Sequence, residues 1–144
     1  MSETLLDQLE TDLNELFQST DDYKNITVKH AYREFPKISY PMIIIDELEN
    51  SDVHRYYDGT EHVVNVGYQF SVYAKQSSKL DAVDNVRQIL EIIKNYMRGE
   101  RYHALQRISS QPIVPHPTDS NIRIGYVRYI GCIDIDTNTI YRRN

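Results

Sequence analysis

Asp134 and Asp136 stand one residue apart in the run Asp-Ile-Asp, a spacing that on a β-strand projects both carboxylates to one side. Paired carboxylates of this kind hold divalent cations and serve two-metal nucleases. Asp46-Glu47, at the end of an apolar run, could complete such a site, so the catalytic reading is a small metal-dependent nuclease or hydrolase using Asp46, Asp134 and Asp136. Against it, alternation alone puts paired polar residues on any solvent-facing strand, and no lysine follows Asp46-Glu47 at the spacing such a nuclease prefers. The five histidines, His30, His54, His62, His103 and His116, include no pair two, three or four residues apart, and a zinc site would have to be assembled from distant segments. Cys132 is a lone cysteine without a predicted helix N-terminus or basic neighbour, which suits a buried small residue better than a nucleophile. Ser109-Ser110 lacks a glycine elbow, and no glycine-rich loop is present to cradle a phosphate. The expectation is a protein with no catalytic residues, no metal and no bound cofactor.

The elements that would position these residues follow from hydrophobic periodicity. From Val63 to Tyr73, Val64, Val66, Tyr68, Phe70 and Val72 recur with period two, the buried side of a central strand. After a break at Lys75 to Ser78, Val83, Val86, Leu90, Ile93 and Met97 recur three and four apart, predicting an amphipathic helix over Asp81 to Met97. Ser78 is placed to cap it and Gly99 to end it. An earlier helix has Leu5, Leu6, Leu9, Leu13, Leu16 and Phe17 in one stripe against an acidic opposite face, with Ser2 as its cap. Between the helices, Ile26, Val28, His30 and Tyr32 alternate as a half-buried strand closed by Phe35-Pro36. Met42 to Ile45 is a continuous apolar run suited to a short central strand.

Glu47 to Thr60 carries turn chemistry throughout and reads as a long exposed loop or hairpin tip. A weak strand pattern covers Tyr102 to Ser110, and Pro112, Pro115 and Pro117 then force an extended connection outside any sheet interior. Ile122, Ile124 and Tyr126 share one face, but the apolar parity changes to Val127, Tyr129, Ile133 and Ile135, which predicts a bulge or break near Gly125 or Gly131. The tail from Asp136 reads as turns. The order helix, strands, helix, strands predicts an α+β fold, a mixed or antiparallel sheet covered on one face by two amphipathic helices, in a single domain over residues 1–144.

Charge narrows the function classes. A formal net charge of -5 argues against a dedicated nucleic-acid-binding domain. No apolar run approaches the ~20 residues of a membrane span, and the N-terminus has no basic region, so a soluble protein made in the cytoplasm is expected. Met1 to Asp22 holds seven acids and no Lys or Arg, whereas every strong base beyond Lys94 is arginine, an asymmetry suited to self-association between unlike surfaces. Twelve tyrosines and no tryptophan fit either cross-strand packing or a contact surface.

The acidic amphipathic helix, the Tyr40-Pro41-Met42-Ile43-Ile44-Ile45 strand, the polar loop, the Val63 to Tyr73 strand, the Asp81 to Met97 helix and the closing Ile130-Gly131-Cys132-Ile133-Asp134-Ile135 together resemble the tail terminator, or tail-completion, proteins of long-tailed bacteriophages. That resemblance implies a structural virion protein, assembled in the host cytoplasm. Six copies would form a homo-oligomeric ring that caps the tail tube at the head-proximal end and joins it to the head or neck. Other neck and head-completion proteins share this texture. The implied partners are the protein itself, the tail-tube protein and a head or neck completion protein, with no sequence-specific nucleic acid and no membrane. The residues expected to meet partners are Asp46, Glu47, Glu49, Asp52, His54 and Arg55 in and beside the first long loop, and His116, Asp119, Arg123 and Arg128 in and after the proline-rich segment.

Overall fold

Thr4 begins the first helix: its hydroxyl accepts a hydrogen bond from the Asp7 N–H at 3.1 Å, and α1 (Leu5–Gln18) follows. The computed structural model describes residues 4–20, 23, 26–30, 40–55, 61–78, 81–110, 112–137 and 139–142. Ser2, expected as the cap, lies outside them. The second helix, α2 (Ala82–Met97), is capped by Asp81, whose carboxylate accepts from the N–H groups of Val83 and Asp84. Asp81 therefore takes the role expected of Ser78, because its carboxylate reaches two orphan donors and also favours the helix dipole.

Among the described residues seven strands form one mixed sheet: β1 (Thr27–His30), β2 (Met42–Arg55), β3 (Glu61–Lys75), β4 (Gln106–Ser110), β5 (Val114–Pro115), β6 (Ile122–Asp134) and β7 (Thr139–Tyr141). The order across it is β1-β2-β3-β6-β4, with β5 and β7 also on β6; among the described residues only β1 and β2 pair in parallel. The chain is an α+β protein. Helix α1 packs against β1 and β2, and α2 against β3 and β6. Val64, Val66, Tyr68, Phe70, Val72 and Ala74 are buried along β3, as their period predicts, and they join Leu9, Leu13, Phe17, Val86, Ile89 and Ile93 of the helices in one core cluster. Among the described residues no helix is long and apolar enough to cross a membrane.

Three expectations are corrected. Residues 47–55 are not loop: β2 continues through them, paired with β3 as far as Arg55 opposite Glu61, so ladder hydrogen bonds hold a stretch whose side chains read as turn. Residues 56–60, and 31–39 beyond β1, lie outside the described residues.

The bulge expected near Gly125 or Gly131 is absent, since β6 pairs with β3 without interruption from Ile122 to Asp134. Both glycines sit on the buried face where neighbours already occupy the space. A Cβ on Gly125 would lie 2.7 Å from Val86 and 2.9 Å from Leu90 of α2, and one on Gly131 2.7 Å from the Leu105 side chain. Ile124 and Tyr126 fall on the other, half-buried face. The parity puzzle is a strand whose core-side positions give up their side chains to α2 and Leu105.

In the tail, Thr139–Tyr141 pairs with Cys132–Asp134 as β7 rather than forming turns only.

Candidate functional site

The acids of α1 are turned inward. Asp7 Oδ1 lies 3.0 Å from His30 Nε2, and Glu10 accepts the His30 backbone N–H at 2.9 Å. Asp12 is buried, accepts the Tyr102 hydroxyl, and pairs with Arg101 at 3.0 Å. Burial raises the Tyr102 pKa first, and the bond to Asp12 raises it further. Three acids expected on an outer face thus tie α1 to β1 and to the 98–105 turn, and only Glu15 of the helix's acids is exposed.

The proposed metal trio is not assembled. Asp46 pairs with Gln69 and Asp134 with Val63, six residues apart on β3, so the two carboxylates are about 20 Å apart along the sheet. Asp134 Oδ1 instead accepts the N–H groups of Asp136 and Thr137 and closes the turn into β7. Among the described residues no group of three or more His, Cys, Asp or Glu side chains could hold a metal ion.

The residues expected to meet partners fall in three places. Asp46, Glu47, Glu49, Asp52, His54 and Arg55 are consecutive parts of β2. Beyond Ile45, which pairs with His30, no described strand covers the outer edge of β2. His116, Asp119 and Arg123 gather where β5 turns into β6: His116 Nδ1 accepts from Thr118, Asp119 from Asn121, and Arg123 faces Pro115. Arg128 stands mid-sheet, where its Nε donates to Gln69 Oε1 at 2.7 Å and its guanidinium lies over the Tyr126 ring. Asp46 and Arg128 flank the same Gln69, so the structure brings these two into one row. Burial, with Asp46 and Tyr40 adding to it, raises the pKa of Tyr73, four residues along β3 on the same face.

The opposite edge of the sheet differs. There the outer side of β6 is met in turn by β5, β4 and β7. Beside β4 an open groove of about 360 Å³ carries Lys94, Arg98, His103 and Arg107 around a floor of Met97, Leu105 and Tyr129. Lys94 is paired with Glu91 at 3.6 Å, Arg98 bonds Asn95 at 3.3 Å, and His103 Nδ1 donates to the Glu100 carbonyl at 2.8 Å. Among the described residues no carboxylate forms an ion pair with Arg98 or Arg107. Burial raises the Tyr129 pKa, opposed by Arg107 and Arg98 and aided by Glu91. The surplus of arginines beyond Lys94 was visible in the sequence, but the meeting of Arg98 and Arg107 at one groove depends on the turn at 98–105.

Each edge is also broken by a bulge that ejects an aliphatic side chain. On β2 the register shifts between Glu47 and Glu49, and Leu48 is 50% exposed; on β4 it shifts between Arg107 and Ser109, and Ile108 is 53% exposed. The two edges are level: Glu47 pairs with Tyr68, Tyr68 with Tyr129, and Tyr129 with Arg107. Directly paired residues share a face, so one cross-strand row runs from an acid at one edge to a base at the other. No protein-family model matches the chain, and no curated protein matches its sequence.

Proposed function

We propose that this chain is a structural assembly subunit that joins its own copies head to tail in a ring, with the acidic edge of one copy facing the basic edge of the next. The observation that carries the reading is the pair of unlike edges, Asp46 to Asp52 on β2 and the Arg98 and Arg107 groove beside β4, at the two ends of one sheet. Strand edges that no described strand covers invite pairing with another chain, and unlike edges favour a heterologous contact that closes into a ring. The sequence resemblance supplies the setting: a tail terminator in the virion, a hexameric ring that caps the tail tube at its head-proximal end. The turn that holds His116 and Asp119, and the far end of β2 with Asp52, His54 and Arg55, would meet the tail-tube protein and a head or neck completion protein. The reading requires no catalysis, cofactor, metal or membrane.

Light scattering over a concentration series, with negative-stain imaging, tests it. The expected result is a ring of about six copies with an open centre that loosens as salt screens the edge charges. A strict monomer at every concentration, also when mixed with completed tail tubes, would overturn it.

A further inference from the structure

The groove beside β4 calls for a ligand of mixed character. Its rim is cationic, while Met97, Leu105 and the Tyr129 ring make an apolar floor. A bare oxyanion would leave the floor unused, and a plain aliphatic chain would leave the guanidinium groups uncompensated. Arginine, tyrosine and methionine are the side chains enriched at protein contacts, and an open groove suits a projecting segment better than an enclosed small molecule. The segment required is therefore an aliphatic side chain flanked by carboxylates.

Asp46-Glu47-Leu48 is such a segment. The bulge takes Leu48 out of the ladder and half exposes it, and Glu47 stands in the same cross-strand row as Arg107. We infer that the groove is a docking site for a second copy of this chain, taking Leu48 onto its Met97 and Leu105 floor with Glu47, which shares the Tyr129 face of the sheet, against Arg98 and Arg107. This rests on the head-to-tail reading and names the contact within it. Because knob and groove lie at one level of the sheet, copies join without a shift along the strands. A repeated rotation without rise closes into a ring, whereas one with rise would wind into a filament.

Charge reversal tests the contact. Arg98→Glu/Arg107→Glu protein and Glu47→Lys protein should each fail to assemble alone while keeping native circular dichroism. Mixed in equal amounts they should assemble, because every contact then joins either two native or two reversed surfaces. Leu48→Asp should also prevent assembly by placing a charge on the apolar floor. If the Arg98→Glu/Arg107→Glu protein assembles like the native one, this docking site is wrong while the ring survives. If the native protein is monomeric throughout, the ring reading falls. The docking is then judged by titrating a synthetic peptide of residues 44–52 onto the monomer. Binding weakened about tenfold or more by Arg98→Glu/Arg107→Glu keeps the docking site, and no binding removes it.

Discussion

The two helices carry the same amphipathic pattern and are held to the sheet by different means. α1 lies over β1 and β2 and is fastened by polar groups: Asp7 and Glu10 to His30, Asp12 to Tyr102 and Arg101, and the Asn14 amide to the Val28 carbonyl at 3.1 Å. α2 lies over β3 and β6 and is fastened by shape, with Val86 and Leu90 seated where Gly125 leaves out a side chain. Over β1 and β2, hydrogen bonds add to the hold of the buried Leu9, Leu13 and Phe17. Over the centre close packing suffices, and the charged end of α2 is left to build the groove.

The largest expected effect reaches both helices through tyrosine. Burial raises the pKa of Tyr68, Tyr73, Tyr102 and Tyr129 above the ordinary 10.0. The folded state then holds these phenol protons more tightly than the unfolded chain, so their contribution is constant below pH 10.0 and is lost as pH rises past it. Alkaline titration should show phenolate absorbance and loss of helical circular dichroism together. Ionisation of these four phenols with the fold intact would refute this.

Asp12→Ala should cost about 2–3 kcal/mol in denaturant unfolding, because it strands the Tyr102 hydroxyl and removes a charged acceptor. Arg101→Ala, at the exposed end of the same cluster, should cost less than about 1 kcal/mol. Equal costs for the two would mean that the ion pair, not the hydroxyl, fastens α1. On the other side of the comparison, Gly125→Ala should lower stability by about 1–3 kcal/mol through overpacking against Val86 and Leu90. An unchanged melting curve would show that α2 can slide. Arg98→Glu/Arg107→Glu should lower monomer stability by about 1 kcal/mol, because a carboxylate at the C-cap of α2 opposes the helix dipole, a small change beside its expected effect on assembly. The smallest change concerns Ser109, whose hydroxyl is buried beside the β4 bulge without a hydrogen-bond partner. Ser109→Ala should melt at the native temperature or slightly above it.

Much of this architecture was legible in the sequence because it is written in periods. The core side of β3 and the apolar stripes of both helices sit where alternation and the three-and-four spacing put them. Three things escaped for physical reasons. The far half of β2 looks like a loop because ladder hydrogen bonds run through the backbone and leave no mark in Asn50, Ser51 or Asp52. The parity of β6 misled because Gly125 and Gly131 are core positions whose volume is supplied from elsewhere in the chain. The acids of α1 looked like a free face because their partners, His30, Arg101 and Tyr102, are distant in sequence. Of the candidate surface, the acidic run from Asp46 to Asp52 could be read directly, whereas the groove needed α2, the following turn and β4 to meet.

Toward β3, strand β6 is one continuous ladder; on its outer side it is three separate short ones, with β5, β4 and β7. Its outward-bonded amides should therefore exchange with solvent in three blocks of independent rate, and any one tile can lift while the others stay shut. Loss of β7 would bare the edge of Cys132 to Asp134. A rim built this way can be recut one segment at a time, so its shape can drift toward a new neighbour without the core having to change.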